Sequence, residues 1–247
     1  MTSVTTTGID RISSTRRPEG SAAGTQRWRK LLFTHWPIPV EAVRAVVPAA
    51  LELDLWEGQA WVGLVPFAME GVKPWWAPEL VAFSFLETNV RTYVTYKGEP
   101  GVYFLSLEAA STIAVEVARW RWGLPYHRAH MSMEEEGGEV TYSSTRYGDP
   151  AASLKARYRL GELMGPSRPG SLEHFFLERY LLFVERGGEV LRGQVYHTPY
   201  PAQRVEVLEL SEGLLQATGL PAPEGPPVLA HYAEGVDVEI FDLKAVP

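Results

Sequence analysis

Between Tyr126 and Tyr196 the chain returns again and again to one design: short runs rich in Tyr, Val and Thr that end at glycine turns such as Gly137-Gly138 and Arg186-Gly187-Gly188. This spacing predicts strands over 126–133, 139–147 and 153–160, and a hairpin pairing 180–184 with 189–196. One short helix over 172–177, capped by Ser171, interrupts the series. Consecutive hairpins without a regular βαβ rhythm argue against a doubly wound sheet and predict a β-barrel or a closed, twisted sheet. The flanking regions fit the same plan. A helix over 40–47 stops at Pro48, strands over 51–55 and 60–67 turn at Gly58, and a strand over 85–94 meets another over 102–107 across a turn at 97–101. A helix over 109–119 follows, and the last third supplies strands over 205–210, 228–232 and 236–241 with a helix over 211–218.

A chain of 247 residues can bury a large core in one domain. Residues 1–24 carry Ser, Thr, Gly and Arg but almost no large apolar side chain, which predicts a disordered N-terminal arm ahead of a single domain over 25–247. The formal net charge of -7 and the dispersal of Lys and Arg argue against a nucleic-acid partner. No apolar run is long enough to span a bilayer, and the first residues lack the apolar stretch of a secretory signal, so a cytoplasmic location without membrane contact is expected. Cysteine is absent, which removes thiolate chemistry and disulfides. Only five of the 23 basic residues are lysines (Lys30, Lys73, Lys97, Lys155 and Lys244), so amines for a Schiff base are few.

The strand over 85–94 carries the most informative side chains. Alternate residues leave a strand on opposite faces, so Glu87, Asn89, Arg91 and Tyr93 share one surface while Leu86, Val90 and Val94 occupy the other. That polar row faces either solvent or an internal cavity. In a cavity, Arg91 can grip a carboxylate or phosphate through paired hydrogen bonds, unless Glu87 neutralises it in a structural salt bridge. A second cluster lies at Trp122-Gly123-Leu124-Pro125-Tyr126-His127-Arg128-Ala129-His130. Tyr126, Arg128 and His130 share one face of the strand it begins, and His127 the other, so this His pair is not expected to hold a metal. His35, His197, His231, Arg146 and the Arg179-Tyr180 pair are isolated, and each has an ordinary structural reading. Glycine-rich phosphate loops, nucleophile elbows and HExxH helices are missing, and no cofactor is expected.

The segments Phe85-Leu86-Glu87-Thr88-Asn89-Val90-Arg91-Thr92-Tyr93-Val94, Pro100-Gly101-Val102-Tyr103-Phe104-Leu105-Ser106-Leu107, Leu124-Pro125-Tyr126, Gly170-Ser171-Leu172-Glu173 and Glu178-Arg179-Tyr180 together resemble the YqjF-like family of uncharacterised bacterial proteins, a domain of unknown function. That family looks like a branch of the acetoacetate decarboxylase-like superfamily. The resemblance implies a β-rich α+β fold: an antiparallel β-barrel with a few short helices around a small-molecule cavity. Decarboxylases of this superfamily use a lysine that follows a turn like Trp122-Gly123-Leu124-Pro125, with a second lysine beside it. Here Tyr126 and His127 stand at those two positions, so Schiff-base decarboxylation is not expected.

Three readings follow. In the first, the barrel binds a carbonyl or carboxylate metabolite, with Asn89, Arg91 and Tyr93 as ligand contacts. In the second, Glu87 exchanges a proton and Tyr126 or His127 donates to a developing oxyanion, giving a non-covalent lyase, isomerase or hydrolase. In the third, the cavity is vestigial and the Pro74-Trp75-Trp76-Ala77-Pro78 segment meets a partner or a second copy in a homo-oligomer.

Overall fold

The computed structural model describes residues 9–112, 115–116 and 122–246. Its elements run β1 (Gly24–Ile38), α1 (Val40–Val46), β2 (Glu52–Leu53), β3 (Ala60–Pro74), β4 (Phe83–Tyr96), β5 (Glu99–Ala109), β6 (Tyr126–Glu136), β7 (Glu139–Arg146), β8 (Ser153–Gly165), α2 (Leu172–Leu177), β9 (Leu181–Arg186), β10 (Glu189–Tyr196), β11 (Ala202–Glu212), α3 (Leu214–Ala217), β12 (Leu229–Ile240) and β13 (Lys244–Ala245). All the strands belong to one sheet, antiparallel except where β5 pairs with β6 and with β9. No helix among the described residues is long and apolar enough to cross a membrane.

The pairings close two circuits. One runs through the nine strands β5-β6-β7-β8-β11-β12-β1-β3-β4 and back to β5. The other uses β9 and β10 as a bridge between β5 and β12, and so shares the wall β12-β1-β3-β4-β5. A shared wall is covered on both faces, and its burial shows it: Leu31 through Trp36, Ala60 through Phe67 and Glu87 through Thr95 are buried without interruption. Alternate residues divide between two cores. Leu32, Trp36, Leu64, Val90 and Val94 pack with Tyr142 and Tyr158 inside the nine-strand circuit, whereas Leu31, Phe33, Val65 and Phe67 pack with Val195, Tyr200 and Val238 on the other side.

Local chemistry fixes the corners. Lys97 and Gly98 both take positive φ (50° and 80°), the conformation of a two-residue hairpin, and Gly137-Gly138 and Gly187-Gly188 do the same. Ser171 Oγ accepts from His174 N at 3.2 Å and starts α2. The two terminal strands expected over 228–232 and 236–241 are one strand, β12, which runs through Gly235. A Cβ there would lie 2.3 Å from the Trp28 carbonyl, so only glycine lets β12 stay paired with β1.

Other differences have equally local causes. Strand β3 continues past Phe67 to Pro74 because its outer part pairs with both β1 and β4. Helix α3 starts later than expected since Ser211 and Glu212 still pair with β8. Ala109 belongs to β5, and the helix expected over 109–119 falls in part outside the described residues. Of the expected arm, residues 1–8 also fall outside them. Residues 9–23 lie against the barrel through Arg11 on Asp54, Arg17 on Glu239, and Gln194 Nε2 donating to Ser14 O. Trp75 and Trp76, at the tip between β3 and β4, are 58% and 71% exposed.

Candidate functional site

The alternation of β4 decides which core receives its polar row. Thr88, Val90, Thr92 and Val94 face the nine-strand circuit, where Thr88 Oγ1 lies 2.8 Å from Tyr142 Oη and Thr92 Oγ1 donates to Trp61 O. Glu87, Asn89 and Arg91 therefore point to the other side. There they line a cavity of about 110 Å³ whose apolar walls include Trp28, Phe33, Val65 and Phe67. A cavity of this volume has room for a small metabolite. Tyr93 is buried just behind Arg91, with its hydroxyl 2.7 Å from His35 Nε2. Gly63 makes room for that pair, since a Cβ would come within 3.3 Å of both.

At one end of the row, Tyr126 Oη donates to Glu87 Oε2 at 2.7 Å. The parallel pairing of Leu107 with Tyr126, beside that of Glu87 with Ala109, brings the two side chains together. Burial pushes the Glu87 carboxyl up to about 8. The Tyr126 hydrogen bond opposes that rise, and the nearby Glu108 adds to it. At neutral pH Glu87 is thus a carboxylic acid able to donate a proton. His127 is half-buried on the opposite face of β6 and does not line the cavity. Nor does any of the five lysines; Lys30, Lys73 and Lys155 are paired with Glu135, Glu79 and Glu209.

At the other end Arg91 is 9% exposed. Its Nη2 donates to Phe176 O at 3.4 Å, its Nε has no partner, and its guanidinium carbon sits 5.5 Å from the centre of the Phe33 ring. The salt bridge to Glu87 that the sequence allowed does not form, because Glu87 is held by Tyr126 two pleats away. The imidazoles nearby cannot balance the charge either. Burial, with a smaller push from Arg91, holds His35 well below its usual range, and His197 is brought down to about 4 by burial, with the hydrogen bond to the Thr198 carbonyl opposing and Arg91 adding to the fall. That bond, 2.7 Å from Nδ1, leaves the buried Nε2 as an acceptor without a partner.

Arg179 enters the same cavity from the turn between α2 and β9. Its Nε donates to Phe175 O (2.6 Å) and its Nη1 to Asp54 Oδ2 (2.7 Å). Asp54 also takes both terminal nitrogens of Arg11, at 2.6 and 2.7 Å. Burial alone would raise the Asp54 carboxyl, but the two guanidiniums overcome it and hold the carboxyl below its usual range. Sequence reasoning set Arg179 aside and missed Asp54 and Arg11. The available signal was a Glu-Arg-Tyr triplet inserted between Phe175-Phe176-Leu177 and Leu181-Leu182-Phe183, charge placed inside an apolar run.

Residues 25–237 match the family DUF2071, described as "Uncharacterized conserved protein (COG2071)". The chain is 37% identical over 228 residues to the protein YqjF of Bacillus subtilis (strain 168), covering 92% of this chain and 94% of that one. Among solved structures it is similar to the enduracididine biosynthesis enzyme MppR complexed with pyruvate, with a TM-score of 0.65 at 12% identity over 92% of this chain and 91% of that one. It is also similar to acetoacetate decarboxylase from Legionella pneumophila subsp. pneumophila str. Philadelphia 1, with a TM-score of 0.60 at 14% identity over 94% and 91%. At such low identity these two likenesses concern the fold. The chain belongs to the DUF2071 family, with an acetoacetate decarboxylase-like fold.

Proposed function

We propose that this protein binds a small carboxylate that also carries a carbonyl or hydroxyl group, with the carboxylate at Arg91 and the second group at the Glu87-Tyr126 pair. The observation that carries the reading is Arg91 itself, a permanently charged group buried in a cavity wall with no carboxylate within reach among the described residues. Burying a charge without a counter-ion costs several kcal/mol, and an anionic ligand offsets that cost. Asn89 Oδ1, unpartnered between the two ends, offers one more polar contact. The related fold of MppR, solved complexed with pyruvate, supports a ligand of this size and chemistry.

A non-covalent lyase, isomerase or hydrolase reaction is a second reading, favoured by one observation. A Glu87 carboxyl pushed up to about 8 can both give and take a proton near neutral pH. A covalent iminium has no amine in the cavity to form it. Titration calorimetry with pyruvate or acetoacetate should show binding that Arg91→Ala removes, and borohydride added to the same mixtures should leave the protein mass unchanged. Full affinity in the Arg91→Ala variant overturns the anchor, and a reduced adduct on any lysine overturns the non-covalent chemistry.

A further inference from the structure

Arg91 is not the only cation at its end of the cavity. The guanidinium carbons of Arg91 and Arg179 lie 6.0 and 5.0 Å from the centre of the Tyr93 ring, so both groups contact one phenol. Each group is anchored on one of two successive α2 carbonyls, Arg91 on Phe176 and Arg179 on Phe175. Each also keeps a buried nitrogen without a partner, Nε of Arg91 and Nη2 of Arg179. The two anchors are thus distinct, and both have donors left over.

The charges do not balance. Asp54 is the carboxylate bonded to Arg179, and it is shared with Arg11. Three guanidiniums therefore stand against one carboxylate. Glu87 is at the far end of the row on Tyr126, and Glu178, next to Arg179 in the chain, accepts instead from Tyr180 Oη and Tyr200 N. Guanidiniums do not relieve such an excess by losing protons, as a buried lysine does. Two negative charges are missing, next to two separate sets of unused donors.

We infer that the ligand of this cavity is a dicarboxylate, one carboxylate held by Arg91 and the other by Arg179. This rests on the reading of Arg91 as an anion anchor and extends it to the substrate class. The cavity volume of about 110 Å³ suits a molecule with a short carbon chain. Arg11 sets the strength of the second anchor, because by occupying Asp54 it leaves Arg179 only partly neutralised.

The test compares matched acids on the full chain by titration calorimetry. Succinate and butyrate share a four-carbon skeleton and differ in one carboxylate. Succinate should bind about tenfold or more tightly, the worth of one further charge-assisted hydrogen-bonded contact, and Arg179→Met should bring the succinate-to-butyrate ratio towards one. Equal affinities in the unaltered protein, which needs no variant to fold, overturn the dicarboxylate and leave the Arg91 anchor standing. Binding of neither acid at millimolar concentration overturns both. Inorganic phosphate binding more tightly than succinate also overturns the inference, because a compact dianion would then be bridging the two guanidiniums.

Discussion

Replacing Glu87 by glutamine should abolish a large part of the pH dependence of stability and make the variant the more stable protein in mild alkali. The reasoning starts from the carboxyl, which ionises at about 4.5 in the unfolded chain and is pushed up to about 8 in the fold, by burial first and by Glu108 in addition. Between those two values the unfolded chain has released the proton and the folded chain still holds it, so unfolding stability falls with rising pH by about 1.4 kcal/mol per unit. The stability is full below about pH 4.5 and is lost as pH rises through about 8, where both states are ionised. The whole interval amounts to at most about 5 kcal/mol, and on the order of 2–5 kcal/mol once the site relaxes around the charge. Glutamine imitates the protonated acid and can accept from Tyr126 Oη as Oε2 does. The two proteins should therefore melt within a few degrees of each other at pH 5, and Glu87→Gln should melt roughly 5–15 °C higher at pH 8.5. Urea unfolding at the two pH values gives the same comparison as free energies. Parallel curves for the two proteins from pH 5 to 8.5 would refute the claim that Glu87 is buried as a neutral acid.

Arg91→Met should raise the stability of the ligand-free protein by about 1–4 kcal/mol, since an unpaired buried charge is replaced by an apolar side chain of similar length. A lower melting temperature in this variant would mean that Arg91 is a structural tie. His197→Phe addresses the acid side. His197, brought down to about 4 chiefly by burial, stays neutral in the fold while the unfolded chain gains a proton below about 6.5. Its contribution is thus present above pH 6.5 and lost as pH falls towards 4, about 3 kcal/mol in all. The variant should lose less stability than the parent between pH 7 and 4.5 in urea titrations, and equal losses would contradict the assignment.

What the sequence made legible follows from how far apart the cooperating residues lie. The row Glu87-Asn89-Arg91-Tyr93 is local, and period two suffices to place it on one face. Whether that face was wet or enclosed depended on β9 and β10 reaching across to β5 and β12. Those contacts, such as Val102 with Leu182, join residues far apart in the chain and leave no periodic mark. Strand β1 illustrates the opposite failure. From Leu31 to Trp36 every position is buried, and the polar Thr34 and His35 are adjacent rather than alternate, so the alternation that announces a strand disappears. Tyr126 became a candidate through the resemblance of Trp122-Gly123-Leu124-Pro125 to the turn that precedes the decarboxylase lysine, not through any spacing within this chain. Arg179 and Asp54 could not be paired, since their meeting depends on β2, β4 and the segment after α2 at once. His127 next to Tyr126 was separable from it in principle by the same alternation that placed the row.

The two-sided wall also explains why a cluster this polar is tolerated. A row containing an acid, an amide and an unpaired guanidinium would weaken a strand packed on that face alone. In β4 the opposite face carries Val90 and Val94 into the nine-strand core. The coupling is direct at one point: Tyr142 Oη, reaching from that core, donates to the backbone carbonyl of Glu87 at 3.0 Å while it contacts Thr88 Oγ1 at 2.8 Å. The backbone that presents Glu87 to the cavity is thus clamped from behind by a side chain that never enters it. Packing on the nine-strand side of the wall lets the cavity on the other side keep its unpartnered donors and acceptors without the strand giving way.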